Sequence, residues 1–360
     1  MVATKYSILI GWLIVLLLIA AGCGSSAEDA GSAGNQKNNE GSEESITLKL
    51  ATGNSAESYF VTEYLEPFME RVTSSTDGRV QFEFYPAEQL GSAKDSLSMV
   101  AKGVVDISHF TPSYTPSEMP IGSALVGIPG LYETTIQGAT AYSKIAQKSP
   151  ILETEFLNNG VRPISLAFTP FYDMMTNGKE IKVPEDLKGM KIRASGGVFT
   201  ESLNYLGATP VSVNASELYT AFSTGVVEGM HIAYATAEKF GLLELPKYAT
   251  RGINMGAAVE GLIINEEVYQ DLPEDIQEVI MQEGDKMGSI LTEYQANLNT
   301  KIVEDLAESG KITIHELSEG EKEQWQNSYS EFHKYWLKRQ DSEVFNKALE
   351  MFQEELETLK

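Results

Sequence analysis

One arginine of this chain occupies a position from which a side chain can hold an anion. The sequence predicts a helical turn from Pro184 to Gly189, then a short strand with Arg193 near its end. A helix is predicted over residues 198–206, directly after that strand. Ligands of open α/β sheets bind beyond the carboxyl ends of strands, next to the free N–H groups of the following helix. We therefore expect a carboxylate to bind at Arg193; a solvated or salt-bridged surface arginine is the alternative.

The remaining reactive residue types form no pattern typical of catalysis. The sequence contains no Gly-x-Ser-x-Gly motif, no phosphate-binding Gly-Lys-Ser/Thr loop and no Gly-x-Gly-x-x-Gly fingerprint. Metal-ligand spacing is absent from the four histidines, His109, His231, His315 and His333. His109 and His231 occupy equivalent places in two similar segments. We interpret both as structural histidines, with a position in a ligand cleft as the alternative. The sequence predicts neither an enzyme nor a bound metal or cofactor.

The charge of the chain limits its partners. It has 51 acidic and 27 basic residues, which gives a formal net charge of −24. This excess of negative charge argues against nucleic acid as a partner and provides no basic patch for an anionic lipid surface. Because repulsion is screened beyond about 8 Å at physiological salt, an anion must be attracted at contact distance. Arg193 is the residue that we expect to do this.

The first 45 residues have the features of an export signal and a tether. Lys5 precedes an almost uninterrupted apolar run, Ile8–Ala21, which predicts a signal peptide over residues 1–22. The run is shorter than the roughly 20 residues that a membrane span requires. It leads to Cys23, the only cysteine, in a sequence similar to the lipobox of bacterial lipoproteins. Lipid attachment is the prediction and a free thiol the alternative. Residues 23–45 lack any aliphatic side chain larger than alanine, which indicates a flexible, lipid-anchored tether.

The residues from Ile46 onward are numerous enough for two lobes. A short internal repeat supports this division. Predicted helices end at Gly103 and at Gly225, and each glycine is followed by a strand that begins Val-Val and contains an acidic residue. The repeat indicates two lobes of similar α/β construction whose strand ends face a common cleft. Residues 168–177 are predicted to cross between the lobes as a strand, which would form a hinge and one wall of the cleft.

Two helical regions are predicted in the last part of the chain. Apolar residues recur at steps of three and four from residue 273 to about 308 without an internal proline. One helix of this length would span about 50 Å at 1.5 Å per residue. Two helices broken near Gly288 are the alternative. The tail, residues 319–360, is predicted to be helical and to pack on the lobes through four aromatic residues: Trp325, Tyr329, Phe332 and Trp336.

A long ordered series of motifs runs through the middle of the chain. Residues 186–193 read Asp-Leu-Lys-Gly-Met-Lys-Ile-Arg. Gly-Ala-Thr-Pro, Ser-Glu-Leu-Tyr-Thr-Ala and Gly-Val-Val-Glu-Gly follow in that order up to Gly229. The series is similar to the extracytoplasmic solute-binding proteins of TRAP transporters, the DctP-like family. The similarity covers about residues 46–350, with further matching segments at 78–91, 102–107, 128–133 and 272–277.

The resemblance implies a two-lobed, periplasmic-binding-protein-like α/β fold of type II, with hinge strands and a long helix that braces both lobes. Lobe I would comprise residues 46–170 and about 256–300, and lobe II residues 171–255 and about 301–360. In that family the matching arginine forms a salt bridge to a substrate carboxylate, which makes Arg193 the expected ligand anchor. The family's partner is a permease of two integral membrane subunits driven by an ion gradient.

The resemblance also bears on the rest of the ligand. Some members, notably those for sialic acid, have a second arginine near the start of the hinge strand, and that place falls on Asp173 here. Residues 230–232 replace a stretch where that branch has a polar asparagine. We therefore expect one carboxylate and a less polar or hydrogen-bond-donating remainder. Asp173 would receive hydroxyl or amine donors. The expected apolar and stacking surface, for which core packing is the alternative, is Phe171, Tyr172, Met230 and Tyr234.

Together these observations predict an extracytoplasmic receptor that is anchored to the bacterial cell membrane as a lipoprotein. It would capture a small organic acid between two lobes and deliver it to the TRAP permease subunits. A lipoprotein that senses a solute for a signalling partner, and an ABC-type binding protein, are the alternatives.

Overall fold

The computed structural model describes residues 45–360, so the predicted signal peptide and Cys23 lie outside the described residues. The strands of this part are β1 (Ile46–Ala51), β2 (Val80–Tyr85), β3 (Ile107–Phe110), β4 (Val161–Phe168), β5 (Asp173–Thr176), β6 (Lys191–Ala194), β7 (Thr209–Ser212), β8 (Gly229–Ile232), β9 (Tyr248–Arg251), β10 (Val259–Asn265) and β11 (Thr313–Glu316). The α-helices are α1 (Glu66–Ser75), α2 (Ser96–Ala101), α3 (Thr135–Ala146), α4 (Gly197–Tyr205), α5 (Leu218–Ser223), α6 (Tyr234–Lys239), α7 (Glu266–Asp271), α8 (Glu274–Ser309), α9 (Glu319–Leu337) and α10 (Glu343–Thr358).

The strands form two mixed sheets, each of which is the centre of one lobe. The first sheet, in lobe I, has the order β2-β1-β3-β10-β4, and β1 lies parallel to β2 and β3. The second sheet, in lobe II, has the order β11-β9-β5-β8-β6-β7, and β6 lies parallel to β7 and β8. Strand β10 in lobe I and strand β5 in lobe II run antiparallel to their neighbours. The predicted two-lobed α/β fold is confirmed.

The internal repeat corresponds to the same helix-to-strand connection in both lobes. Gly103 ends the helical segment before β3, and Gly225 ends the one before β8. Their φ angles are +67° and +76°, a left-handed conformation that glycine adopts without steric cost. Each glycine turns the chain from a helix into a parallel strand, so the ends of β3 and β8 occupy equivalent positions in the two lobes.

Two chain segments cross between the lobes side by side. Residues 169–172 connect β4 of lobe I to β5 of lobe II, and residues 252–258 connect β9 of lobe II to β10 of lobe I. The segments pair through main-chain hydrogen bonds, with Tyr172 N donating to Gly256 O at 2.8 Å and Met255 N donating to Tyr172 O at 2.9 Å. The predicted crossing is therefore present, but residues 168–177 belong to two strands of different sheets.

Helix α8 is a single helix of 36 residues, so the alternative of a break near Gly288 is wrong. At 1.5 Å per residue it is about 54 Å long. It packs against α1, α3 and β4 in lobe I and against α6 and β11 in lobe II. Gly284 and Gly288 bring it onto β4, because a Cβ atom at either position would overlap a main-chain oxygen of that strand. No helix within residues 45–360 is long and apolar enough to span a membrane.

The C-terminal tail forms two helices and not one. The predicted aromatic face of α9 is buried: Trp325 and Tyr329 pack in the core of lobe II, and Phe332 and Trp336 in that of lobe I. Helix α10 follows after a break and packs on α3, with Phe352 in the lobe I core. The tail thus returns to lobe I, which differs from the expected lobe II boundary of residues 301–360. The helical and aromatic pattern gave no information on which lobe α10 contacts.

Candidate functional site

The carboxyl ends of the parallel strands of the two sheets face each other. Tyr114, after β3, accepts a hydrogen bond at its hydroxyl from Ala215 N, after β7, at 3.2 Å. Ser216 Oγ donates to Glu88 Oε1, in the segment after β2, at 3.0 Å. These bonds join loops that follow strands of different lobes. The arrangement therefore forms a cleft between two sets of strand ends, with the lobes in contact across it.

The loop that follows β6 forms one wall of this cleft. Gly196 and Gly197 have φ angles of +127° and +53°, and a Cβ atom at Gly196 would overlap the main-chain oxygen of Ser113 in lobe I. An L-residue at Gly196 would be strained and would also collide with the opposite lobe. The two glycines that the sequence places after Arg193 thus allow β6 and the other lobe to approach closely.

Arg193 is buried at this wall, with 1% of its surface exposed. Its Nε donates to Val213 O at 2.9 Å, and its Nη1 donates to His231 O at 3.1 Å. No Asp or Glu of residues 45–360 forms an ion pair with it. A buried charge is costly unless an opposite charge accompanies it. Two carbonyl oxygens orient this guanidinium without neutralising it, as expected of a side chain that binds an anion.

Aromatic rings lie beside Arg193. Tyr172, from the hinge, stacks on Phe199 of α4 with ring centroids 5.1 Å apart. The ring of His231 meets both edge-on, at 5.0 Å from Tyr172 and 5.4 Å from Phe199. Burial raises the pKa of Tyr172 to about 12, although the positive charge of Arg193 acts in the opposite direction. Tyr172 is thus one predicted aromatic contact that the structure places with Arg193.

His231 presents an unpaired acceptor in this cluster. Burial and the nearby charge of Arg193 lower its pKa to about 3, so the imidazole is neutral at physiological pH. Its Nε2 lies 3.1 Å from Met255 O, and a carbonyl oxygen only accepts, so Nε2 carries the proton. Nδ1 is then an acceptor, and it has no hydrogen-bond partner in the described chain. His231 can accept a hydrogen bond from a ligand.

Unpaired polar atoms concentrate at the strand ends. Within residues 45–360, eight buried side-chain nitrogen or oxygen atoms have no hydrogen-bond partner. One belongs to Tyr142, and the others belong to residues in, or within four positions after, parallel strands that end at the cleft. Buried polar atoms are normally hydrogen-bonded, so this concentration marks the cleft as a site for a polar ligand. The atoms are Asn54 Oδ1, Ser113 Oγ, Ser195 Oγ, Asn214 Nδ2, His231 Nδ1, Thr236 Oγ1 and His109 Nε2, the last of which lies 3.5 Å from Glu260 Oε2.

The sequence model of the family described as "Bacterial extracellular solute-binding protein, family 7", DctP, matches residues 51–340. The chain belongs to this family. A solute-binding protein of Albidiferax ferrireducens is 28% identical over 287 residues, which are 78% of this chain and 82% of the relative. The C4-dicarboxylate-binding periplasmic protein DctP of Rhodobacter capsulatus is 26% identical over 292 residues, which are 77% of this chain and 82% of that protein.

A solved structure has the same fold. It is a TRAP solute-binding protein from Rhodoferax ferrireducens in complex with copurified benzoate, and it superposes with a TM-score of 0.79 at 23% identity. The match covers 87% of this chain and 98% of that one. The DctP family is one of solute-binding proteins and not of enzymes. Within the described residues of this member, no three His, Cys, Asp or Glu side chains form a metal-binding group.

In this DctP-family chain Asp173 is engaged by the hinge. Its Oδ1 accepts hydrogen bonds from Ile253 N at 2.8 Å and from Asn254 N at 3.2 Å. Burial raises the pKa of Asp173 to about 7, although these main-chain donors act in the opposite direction. The carboxylate thus joins the two crossing segments through Oδ1.

Three other predicted contacts pack outside the cluster of Tyr172, Phe199 and His231, although one of them, Met230, is the neighbour of Arg193 in the pairing of β6 with β8. Phe171 stacks on Tyr132 at 5.4 Å and lines a separate pocket of about 400 Å³ beside the hinge. Met230 packs in a hydrophobic core of lobe II. Tyr234 packs there too, and its hydroxyl donates to Thr250 O at 3.0 Å. The side chains of these three residues thus have packing partners of their own within the protein.

Glu260, beside His109, is a second charged group near the cleft. His109 Nε2 lies 3.5 Å from Glu260 Oε2, and both side chains belong to lobe I. Burial lowers the pKa of His109, although Glu260 acts in the opposite direction. The charge of Glu260 raises the pKa of Tyr172, whereas that of Arg193 lowers it, so the hinge tyrosine is within the influence of both charges. Sequence reasoning did not find Glu260, since one acidic residue of 51 carries no signal of its own.

Proposed function

We propose that this DctP-family chain is the solute receptor of a TRAP transporter. Its two lobes close on a small organic acid and present it to a membrane permease. The observation that carries the proposal is Arg193, a buried guanidinium between facing strand ends that carbonyl oxygens orient and no described carboxylate neutralises. An acid in the cleft would supply the missing negative charge through charge-assisted hydrogen bonds. The protein binds this acid and carries out no reaction on it.

The ligand that fits this cleft best has one carboxylate and a flat, largely apolar body. Arg193 takes the carboxylate, and the stacked rings of Tyr172 and Phe199 provide the apolar surface. Hydroxyl or amine substituents would pair with acceptors such as His231 Nδ1. Asp173 occupies the position at which some family members have a second arginine. Its side chain therefore disfavours a ligand with a second carboxylate. The benzoate bound by a protein of the same fold is an acid of the proposed kind.

Substitution of Arg193 tests the anchor directly. Charge-assisted hydrogen bonds contribute about 1.5–3 kcal/mol each, so Arg193→Ala should weaken benzoate binding at least tenfold in titration calorimetry. Arg193→Lys should also bind more weakly, because lysine lacks the planar pair of donors. Arg251→Ala is the matched control: this partly exposed arginine lines the separate hinge pocket and has no described ion-pair partner. It should leave benzoate affinity unchanged.

The same titrations separate the ligand classes. Benzoate, phenylacetate and succinate compare aromatic monocarboxylates with an aliphatic dicarboxylate, and we expect the aromatic acids to bind more tightly. Tighter binding of succinate would replace the proposed class with dicarboxylates. Wild-type affinity in both Arg193 variants would exclude Arg193 as the anchor and overturn the proposal.

We further propose that the mature protein is a lipoprotein attached through Cys23. The support is the apolar leader, the lipobox-like sequence before this single cysteine, and the polar tether after it. Mass spectrometry of the protein from bacterial membranes should find an N-terminus at Cys23 with acyl chains. Cys23→Ser should move the protein from the membrane fraction to the soluble fraction. An uncleaved N-terminus upstream of residue 23 in the wild type would contradict this.

A further inference from the structure

A buried ion pair joins the two lobes next to the cleft. Lys239, the last residue of α6 in lobe II, has its Nζ 3.1 Å from Oε2 of Glu260, on β10 of lobe I. Each side chain is only 3% exposed. Glu260 Oε1 also accepts a hydrogen bond from Gln295 Nε2 of α8 at 2.8 Å. Helix α8, which packs against both lobes, thus also helps to position this carboxylate.

Aromatic rings surround the ammonium group. Lys239 Nζ lies 4.4 Å from the ring centroid of Phe60 and 5.9 Å from that of Tyr59, both in lobe I. Phe240 contributes a third ring at 5.4 Å, from lobe II itself. Contacts of this kind stabilise a cation most where water is excluded. The lysine of one lobe therefore lies in an aromatic cage that the other lobe largely provides.

The carboxylate of this pair is ionised in the closed arrangement. Burial alone would raise the pKa of Glu260, but the positive charge of Lys239, with a contribution from His109, holds it at about 2. A buried ion pair of this kind is tolerated only as a pair, because removal of one partner leaves an uncompensated charge. If the lobes separated, water would hydrate the ammonium and the carboxylate. Each charge therefore needs its partner only in the closed arrangement.

We propose that Lys239 and Glu260 form a latch that positions the two lobes in the closed arrangement and thereby sets the affinity for the ligand without touching it. The inference rests on the proposed capture of an organic acid by lobe closure. The ligand binds to the closed lobes, so the free energy needed to close them reduces the free energy of binding. Lys239 and Glu260 are thus positioning residues, and Arg193 is the residue that contacts the acid.

Three variants test the latch. Lys239→Met and Glu260→Gln should each weaken benzoate binding at least tenfold, because each leaves one buried group without its charged partner. The double variant Lys239→Met/Glu260→Gln removes both charges and should bind within about threefold of the wild type. Recovery in the double variant separates a latch from a direct ligand contact, which a second substitution would not restore. Small-angle X-ray scattering should show less compaction on benzoate addition in the single variants only.

A second pair between the lobes provides the control. Lys94 Nζ lies 3.5 Å from Glu217 Oε2, with side chains 39% and 58% exposed. Exposed pairs contribute little, so Lys94→Met should leave affinity and compaction unchanged. Single latch variants with wild-type affinity, or a double variant as weak as the weaker single one, would overturn the latch and leave the role of Arg193 intact.

The latch and the proposed function fail separately. If none of the three acids binds the wild type, the proposed ligand class is refuted. The latch is then judged on the ligand-free proteins: the single variants should have a larger radius of gyration than the wild type, and the double variant should return to it. Equal radii in all four proteins would overturn the latch in that case.

Discussion

Asp173 makes the hinge sensitive to pH through one side chain. It accepts two main-chain hydrogen bonds from residues 253 and 254, yet its burial raises its pKa to about 7. In the unfolded chain an aspartate titrates near about 3.9. Between these values the folded protein binds a proton that the unfolded chain has released. The free energy of unfolding therefore falls as pH rises from about 4 to about 7.

Asp173→Asn should remove this dependence, because its amide oxygen can accept the same two hydrogen bonds and never ionises. Relative to the wild type, the variant should gain about 2.5 kcal/mol of stability between pH 5 and pH 7.5, since the slope is about 1.4 kcal/mol for each pH unit between the two pKa values. Urea unfolding at both pH values measures the difference. Asp271→Asn, at an exposed position, is the control and should show no such gain. If Asp173→Asn and the wild type differed in unfolding free energy by the same amount at both pH values, the Asp173 carboxyl would not titrate between them.

Elements with a regular local pattern were predictable from the sequence. Helix α8 follows from apolar spacing sustained over ten turns, and its glycines were compatible with one helix because they pack against β4. The position of Arg193 near the end of β6 follows from the helical turn before it and the glycine loop after it. Both predictions depend on residues that are neighbours in the chain. The interactions that form each of these elements are therefore visible in its own stretch of sequence.

Contacts between elements were not predictable in the same way. Tyr172 and Phe171 are adjacent and both aromatic, but the crossing segment turns the first towards Phe199 and the second towards Tyr132. Lys239 and Glu260 lie on different lobes and meet only because the hinge brings β10 beside α6. Helix α10 has a strong amphipathic pattern that does not specify its lobe. The pattern in a single sequence indicates which face of an element is buried. The path of the chain in the folded protein determines which other element covers that face.

The closed arrangement of the whole molecule depends on main chain meeting main chain across the cleft. Gly196 of lobe II lies so close to the main-chain oxygen of Ser113 in lobe I that a Cβ atom would overlap it. Tyr114 and Ala215 form a hydrogen bond nearby, at 3.2 Å. The two lobes thus touch through their main chains beside Arg193. Any added side chain would hold them apart at the place where the acid is proposed to bind.

Gly196→Ala should therefore impair closure more than folding. We expect at least tenfold weaker benzoate binding and a smaller decrease in the radius of gyration on benzoate addition, because the methyl group collides only when the lobes meet. Gly189→Ala is the matched control: its φ of +75° also strains an alanine, but a Cβ atom there meets nothing within 4 Å. Both variants should lose stability in urea, and only Gly196→Ala should lose affinity. Equal affinities in the two variants would mean that the ligand is bound without this contact between the lobes.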